Sequence, residues 1–278
     1  MPIITISRGS YSRGKQVAEQ LAGRLGYQCA SRDILLEASK EFNIPEIKLV
    51  RALHDSPTIL EKFRHGKERY LKYFRSALLS HMLRDNIVYH GLAGHFFLQD
   101  ISHVIKVRII ADMKDRVVEE MGREGIGEKE AHELLVKDDE ERRKWGRQVY
   151  GVDTWDSRLY DVVINIKSVT IDDAVDILAD LSAKPVFQTT PESRTKLQRL
   201  AKLAELEAAL ADHAPTATCH LEDSALVVAS AGDTLKSSAE LRERFTKQAL
   251  SLDGIESVRF EQPLTGKDDY VNTFYNLR

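Results

Sequence analysis

A glycine-bounded loop near the start of the chain has the spacing of a phosphate-binding motif. It reads Gly9-Ser10-Tyr11-Ser12-Arg13-Gly14-Lys15, which fits the pattern G-x-x-x-x-G-K. The two glycines let the backbone wrap an anion so that successive N–H groups point inward, and the lysine can reach the β- and γ-phosphates. These seven residues are therefore predicted to bind a polyphosphate, with Lys15 offsetting negative charge during phosphoryl transfer.

The segments that flank the loop are those that such a motif requires. A β-branched run predicts a strand at Ile3–Ile6, and a helix with Val17, Leu21 and Leu25 at four-residue spacing follows until Gly26 stops it. The N-terminus of that helix adds its positive dipole end to the loop. The alternative is a Gly/Ser-rich turn with a surface lysine, but the strand before and the helix after favour phosphate binding.

The residues after the lysine depart from the usual motif. A phosphate loop ordinarily continues with Ser or Thr, whose hydroxyl helps to hold Mg²⁺, whereas this chain has Gln16 and Val17. Magnesium could still be held by phosphate oxygens, water and a carboxylate. The departure therefore weakens the expectation of turnover more than the expectation of binding.

Strands and helices alternate over the first two thirds of the chain. Four further strands are predicted, at residues 27–30, 87–89, 104–110 and 162–166. This alternation indicates βαβ units and a parallel sheet that is covered on both faces. Two long segments, 54–84 and 115–145, are predicted to be mainly helical, and the stretch 128–136 is expected to form a short capped helix.

The remaining third is predicted to be a separate small domain. Residues 183–195 contain two of the seven prolines and have no clear period, which is typical of a linker. Beyond it, residues 196–278 show an amphipathic helix, a strand near 226–229, a second helix around Leu241, and a strand at 257–260. This pattern predicts a small α+β domain.

Composition limits the classes of function. The chain has 278 residues, 40 basic and 43 acidic, and a formal net charge of −3, so nothing in the balance indicates a nucleic-acid partner. Two distant cysteines, Cys29 and Cys219, argue against a disulfide framework or a zinc site. No apolar run approaches the ~20 residues of a membrane span, and the N-terminus lacks the pattern of a signal peptide, so a cytoplasmic location is expected.

Over about residues 1–182, the order and spacing of these segments resemble those of the cytidylate-kinase-like family. The segments that carry the resemblance are Ile6-Ser7-Arg8, Ala18-Glu19-Gln20-Leu21-Ala22, Ser31-Arg32-Asp33-Ile34-Leu35, Ile87-Val88-Tyr89-His90-Gly91, Asp115-Arg116, Asp139-Glu140-Glu141-Arg142 and Tyr160-Asp161-Val162-Val163-Ile164-Asn165. The family often has Gly-Arg-Gly after the third strand, where this chain has Gly91-Leu92-Ala93-Gly94. Cytidylate is therefore not assumed to be the acceptor.

The resemblance implies a fold and an activity. The fold would be the α/β, three-layer P-loop kinase fold, with a central parallel sheet and a helical lid, here followed by the small C-terminal α+β domain. The activity would be phosphoryl transfer from ATP, with Mg²⁺, to a small acceptor such as a nucleoside monophosphate. Because Gln16, Val17 and Leu92 depart from the family pattern, a nucleotide-binding sensor without turnover remains the alternative, and a purely structural scaffold is a third.

The resemblance also places candidate site residues. Arg142, Arg143 and Arg147 lie on the segment suited to be the lid, with Arg142 and Arg147 taken as catalytic; the alternative is a solvated helix face paired with Glu140 and Glu141. Arg32, Asp33 and Gly91 match the acceptor-binding region, although Asp33 could equally be an ordinary helix N-terminal carboxylate. Arg116 matches a residue near the adenine, and its alternative is a surface arginine.

Three remaining features stay open. His81, His90 and His95 flank the third strand without a metal-binding pattern, and His90 could face the acceptor pocket. The spacing of Tyr70, Tyr73 and Phe74 indicates a buried aromatic stripe on a long helix rather than a surface that binds nucleic acid. The C-terminal domain has a weak resemblance to the BON-like fold through its segment 253–258. Its alternative is a packing or dimerisation module, so a homodimer stays open.

Overall fold

The first two thirds of the chain form a five-stranded parallel sheet. A computed structural model describes residues 1–9, 13–45, 49, 64–91, 94–229 and 234–261. The strands run in the order β2-β3-β1-β4-β5, and all the pairs are parallel. Their bounds are β1 Ile3–Arg8, β2 Gln28–Ala30, β3 Ile87–His90, β4 Val104–Ala111 and β5 Val162–Ile166. All five strands expected from the sequence are confirmed.

Seven helices lie between or beside these strands in the described part of the kinase-like region. They are α1 Gly14–Leu25, α2 Arg32–Glu41, α3 Arg64–Met82, α4 Gly94–Phe97, α5 Met113–Glu124, α6 Glu128–Tyr150 and α7 Ile171–Ser182. Gly26 ends α1 in the left-handed conformation, with φ of 67°, as its position predicted. Residues 54–63 of the predicted helical segment 54–84 lie outside the described residues.

The sheet has a hydrophobic layer on each face. On one face, Ile4 and Ile6 pack with Val17 of α1 and Leu178 of α7. On the other, Ile3 belongs to a core that includes Leu78 of α3 and residues of α2 and α6. Side chains of a strand alternate between the two faces, so the mostly apolar run of β1 supplies both layers. The three-layer α/β fold of P-loop kinases is thereby confirmed.

The helix expected at 128–136 is much longer than its sequence pattern suggested. It continues to Tyr150 and ends at Gly151, which adopts the left-handed conformation. Gly146 does not break it, because Trp145, Val149 and Tyr150 around that glycine are buried in the core beside α3. Tertiary packing thus outweighs the low helix propensity of a single glycine, which amounts to about 1 kcal/mol.

The C-terminal third contains a second, smaller sheet. After a 3-10 turn at Pro185–Phe187 come α8 Pro191–Leu210, β6 Thr218–Glu222, β7 Ala225–Ala229, α9 Thr234–Ser237, α10 Ala239–Leu250 and β8 Ser257–Glu261. Strand β7 is central, antiparallel to β6 and parallel to β8. The α+β character is as expected, although β6 had no clear signal in the sequence.

Helix α8 packs against both parts of the molecule. Leu197, Ala201 and Ala204 belong to the core around α3, whereas Leu206 and Leu210 belong to the core under β6–β8. An ion pair of 2.6 Å between Arg75 of α3 and Glu207 of α8 joins the same elements. The division into 1–182, 183–195 and 196–278, and the BON-like resemblance, stay predictions. No helix within the described ranges is long and apolar enough to cross a membrane.

Candidate functional site

The two ends of the glycine-bounded loop lie between β1 and α1. The N–H of Gly9 donates to the carbonyl of Ile109 on β4, 3.4 Å away. Arg13 adopts the left-handed conformation, with φ of 61°, and Gly14 is the first residue of α1. A Cβ on Gly14 would lie 2.8 Å from the Cβ of Arg8, so this approach requires glycine. Ser10, Tyr11 and Ser12, which were predicted to bind phosphate, lie outside the described residues.

Lys15 stands in the first turn of α1 and points to solvent. Its Nζ lies 3.6 Å from Glu19 Oε1, and the lysine side chain is 59% exposed. An exposed pair at i,i+4 contributes only about 0.3–0.5 kcal/mol, so a polyphosphate can displace it. The ion pair therefore does not prevent Lys15 from reaching an anion at the start of α1.

Several acceptor-side candidates meet where β1, β2 and β3 end. Burial, and then the positive charges of Arg8 and Lys15, lower the pKa of His90 to about 4, while Glu19 and Asp33 oppose the shift. His90 is buried, and its Nδ1 has no hydrogen-bond partner among the residues that the structure describes. His90 is thus a neutral imidazole within electrostatic range of Lys15 and Asp33.

The three residues predicted to bind the acceptor, Arg32, Asp33 and Gly91, differ in exposure and packing. Asp33 is exposed in the first turn of α2. A Cβ on Gly91 would lie 2.4 Å from the hydroxyl oxygen of Tyr89, so no larger residue fits there without movement. The side chain of Arg32 lies outside what the structure describes. The backbone of α2 nevertheless places positions 32 and 33 at the same sheet edge.

Arg116 is buried rather than at the surface, so the surface alternative is wrong. Its guanidinium donates two hydrogen bonds to the carboxylate of Asp139, at 2.8 and 2.9 Å. Both side chains are at most 10% exposed. A Cβ on Gly9 would be 3.8 Å from Cζ of Arg116, so the pair lies against the first residue of the loop. Together with Arg108 and Trp155 these residues line a cavity of about 270 Å³.

A larger cleft lies beside the other end of the loop. It measures about 570 Å³ and is lined by residues of α1, α5 and the turn between β5 and α7, including Arg13, Asp115, Glu119, Lys167 and Thr170. Ile166 and Ile171 provide apolar wall. Arg13 Nε donates to Glu119, which lines the same cleft. The residue expected near an adenine, Arg116, lines the smaller cavity, whereas its neighbour Asp115 lines this one.

The candidate lid arginines are held by two different partners. Arg142 Nη1 donates to the backbone carbonyl of Arg8, 3.0 Å away, which ties α6 to the end of β1. Arg143 and Arg147 both bind Asp153, each through Nη2 at 2.6 Å. Glu140 pairs with Lys144, 3.7 Å away, so the solvated helix face with local Glu–Arg pairs stays an alternative for these arginines. Sequence reasoning missed Asp153 because it lies beyond the end of the helix, outside any helical spacing.

A buried polar network supports the same edge of the sheet. The Tyr160 hydroxyl donates to the carbonyl of Thr154, 3.0 Å away, and lies 3.3 Å from both Ser7 Oγ and Arg108 Nη1. Burial, and then the nearby Arg108, lower the pKa of His95 to about 3, so this imidazole is neutral. Within the described ranges no three His, Cys, Asp or Glu side chains form a group suited to hold a metal ion.

The chain is similar to known proteins over this region. It is 25% identical over 176 residues to a cytidylate kinase of Sulfolobus acidocaldarius, covering 63% of this chain and 91% of that protein. It is 32% identical over 82 residues to a cytidylate kinase of Thermoplasma acidophilum, covering 29% and 44% of the two chains. A solved structure of an uncharacterised protein from Eubacterium ventriosum superposes with a TM-score of 0.50 at 23% identity, covering 66% and 98%. Residues 3–168 match the cytidylate kinase-like family, and the chain belongs to that family.

Proposed function

We propose that the chain transfers a phosphoryl group from ATP to a small acceptor, in the first instance a nucleoside monophosphate. Family membership supports a kinase-type phosphotransferase. The observation that carries the proposal is the turn at the end of β1, where left-handed Arg13 and obligatory Gly14 start α1 directly before Lys15. A helix N-terminus reached through such a turn favours an anion, and Lys15 adds a mobile positive charge.

The donor nucleotide would lie across the start of α1. Its phosphates would contact the loop from Gly9 to Lys15, and its base would enter the cleft of about 570 Å³ that begins at Arg13. The apolar wall and polar rim of that cleft suit a flat heterocycle with ring nitrogens. Mg²⁺ would enter with the nucleotide, held mainly by phosphate oxygens and water, and would offset the charge of the phosphates.

The acceptor would lie at the ends of β2 and β3. Asp33, neutral His90 and the small Gly91 supply hydrogen-bonding groups and room at that edge. A neutral imidazole suits an uncharged hydroxyl or base edge, because it can either donate or accept a hydrogen bond. The acceptor class proposed for this edge is a nucleoside monophosphate, and not cytidylate in particular.

The lid would complete the site during transfer. Phosphoryl transfer needs little covalent help from the protein and depends on positioning and on offsetting negative charge. Arg142 already reaches the end of β1, and Arg147 is exposed on the same helix. Closure of such a lid would bring guanidinium groups to the transferring phosphate and exclude water.

Release of ADP tests this proposal. The protein would be incubated with ATP and Mg²⁺ and with CMP, dCMP, UMP, AMP and a set of sugars in turn. We expect ADP release with at least one nucleotide and its loss in Lys15→Ala, whereas Glu19→Gln, which frees Lys15, keeps the rate. Tight ATP binding with no release above background for every acceptor would reject the transferase.

A nucleotide sensor is the second candidate, favoured by the residues after Lys15. Val17 is fully buried in the hydrophobic layer that contains Ile4 and Ile6. Gln16 occupies the place where a hydroxyl would help to hold magnesium. The test is Gln16→Thr, which restores that hydroxyl without disturbing Val17. A gain of turnover from an inactive parent would support the sensor, whereas a parent that is already active, with no gain in the variant, would reject it.

A further inference from the structure

Asp153 lies where the two outer guanidinium groups of α6 converge. Its carboxylate accepts from Arg143 Nε at 3.1 and 3.2 Å, from Arg143 Nη2 at 2.6 Å and from Arg147 Nη2 at 2.6 Å. The backbone N–H of Trp155 donates a further bond of 3.0 Å. Hydrogen bonds from Arg143, and then from Trp155 and Arg147, hold the pKa of Asp153 well below its usual range. The ionised form of the carboxylate is therefore favoured.

The loop that carries Asp153 is built to return to the helix. Gly151 turns the chain with φ of 70°, and the loop then crosses α6 at Gly146. A Cβ at Gly146 would lie 2.7 Å from Thr154 Cγ2 and 3.1 Å from the carbonyl oxygen of Val152. The Trp155 ring lies against Arg143, with 4.3 Å from Cζ to the ring centroid. Packing of the loop, and not only charge attraction, thus sets the position of Asp153.

An anion here is surrounded by two guanidinium groups and a backbone N–H. The same arrangement of donors also binds phosphate oxygens. The cluster is accessible, since the side chains of Arg147 and Asp153 are 55% and 24% exposed. We propose that Asp153 is a positioning residue that occupies Arg143 and Arg147 in the nucleotide-free chain, and that a phosphate group of the bound substrate displaces it from the Arg147 side chain. This inference rests on the proposed function, because it assigns the displacing anion to the substrate.

The two arginines have different roles in this exchange. Arg143 holds Asp153 through both Nε and Nη2 and is stacked on Trp155, so it stays with the loop. Arg147 contacts Asp153 through Nη2 and is more exposed, so it is the group that changes partner. An internal anion that must be displaced lowers the apparent affinity for phosphate by the fraction of molecules in which Arg147 is released.

The test is calorimetric titration with inorganic tripolyphosphate and with ATP. Asp153→Asn removes the competing charge, and we expect it to bind tripolyphosphate about two- to fivefold more tightly, as an exposed ion pair of this kind would allow. Asp156→Asn is the matched control: it removes the same charge from the same loop, but Asp156 pairs with Arg158. The control should stay within a factor of about two of the parent, because the long-range effect of one charge is screened.

Adding Arg147→Ala to Asp153→Asn should abolish the gain, because the released guanidinium is then absent. If Asp153→Asn does not fold, Asp153→Ser keeps a hydroxyl for the Trp155 N–H and serves in its place. Unchanged or weaker polyphosphate binding in a folded variant would overturn the inference, even if ADP release shows the proposed function to be right. A gain in affinity without turnover in any variant would support the exchange and reject the transferase. No binding by any of the proteins would overturn both.

Discussion

The guanidinium of Arg116 and the carboxylate of Asp139 form a buried pair against Gly9, the first residue of the glycine-bounded loop. Burying two charges costs solvation free energy that the pair recovers only while both partners are present. The pair connects the start of α5 with the middle of α6, so it links both helices to the glycine-bounded loop. Arg116, for which the sequence allowed either a surface position or a place near the nucleotide, thus lies beside the glycine-bounded loop.

Asp139→Asn is expected to destabilise the fold strongly. The variant leaves the Arg116 guanidinium buried without its carboxylate, which costs about 3 kcal/mol in the free energy of unfolding. Urea unfolding measures this cost. Glu133→Gln, which removes an exposed carboxylate paired with Lys129 on the same helix, should change stability little. Equal effects in the two variants would contradict the buried pair.

Stability should fall in acid because of buried neutral histidines. His95 has a folded-state pKa of about 3 and His90 of about 4, against about 6.5 for the unfolded chain. Below pH 6.5 the unfolded chain binds protons that the folded chain does not, so the free energy of unfolding decreases as the pH falls. For His95 the slope is about 1.4 kcal/mol per pH unit between these values.

Urea unfolding at several pH values between 7 and 4 measures that slope. His95→Gln should reduce it, whereas His132→Gln, at an exposed site of α6, should leave it unchanged. A slope that is the same in all three proteins would contradict the assignment to His95.

At the scale of elements, Gly146 allows the 151–156 loop to cross α6. Alanine in a helix is normally favoured over glycine by about 1 kcal/mol. At Gly146, however, a Cβ would meet the backbone oxygen of Val152 at 3.1 Å, and a backbone atom cannot rotate away. Gly146→Ala should therefore destabilise the protein by about 1–3 kcal/mol and loosen Asp153.

Gly122 of α5 is the matched control, since a Cβ there meets nothing within 4 Å. Gly122→Ala should stabilise the protein by about 0.5–1 kcal/mol in the same urea experiment. Stabilisation of both variants to the same extent would show that the loop does not pack on α6 as described.

Local signals explain which elements the sequence could predict. The unit from β1 to α1 was predictable because its apolar periodicity, its flanking glycines and its C-terminal cap are all written in neighbouring residues. The length of α6 was not, because burial of Trp145 and Val149 against other elements continues the helix past Gly146. Strand β6 contains His220 and Glu222 and few apolar residues, so its sequence carries little strand signal. Pairing with β7 determines that it forms a strand.

The backbone geometry of the candidate site was predictable to a similar degree. Gly9, Gly14 and Lys15 follow from a local pattern, and the structure places both loop ends where the pattern requires. The pairing of Arg116 with Asp139 and of Arg147 with Asp153 depends on how separate segments meet, which no spacing along the chain reveals. These pairs join residues 23 and 6 positions apart, and only the folded chain shows that their side chains meet.

At the scale of the whole molecule, α8 is shared between the two sheets. Its Glu207 binds Arg75 of α3 at 2.6 Å and accepts from the N–H of Cys219 on β6 at 3.0 Å. One buried carboxylate thus contacts the kinase-like part and the C-terminal sheet. The proposed boundary at 183–195 therefore separates segments that still share a core through α8.

A double-mutant cycle on Arg75 and Glu207 measures how strongly these parts are coupled. Because this pair is mostly buried, we expect a coupling free energy of about 1–3 kcal/mol in urea unfolding. The pair of Arg69 and Asp212 crosses the same region but is more exposed, and its coupling should stay below about 1 kcal/mol. Equal and small couplings would indicate that the interface is not packed as described.

The most direct test of the whole account is the affinity for ATP measured by calorimetry on three proteins. The parent chain should bind ATP in the presence of Mg²⁺, and Lys15→Ala should bind it about 10- to 100-fold more weakly, as expected for a lost charge-assisted hydrogen bond. Glu19→Gln should bind ATP at least as tightly as the parent, because it frees Lys15 from its ion pair. Equal affinities in the parent and Lys15→Ala, or no binding by the parent, would contradict a phosphate site at the start of α1.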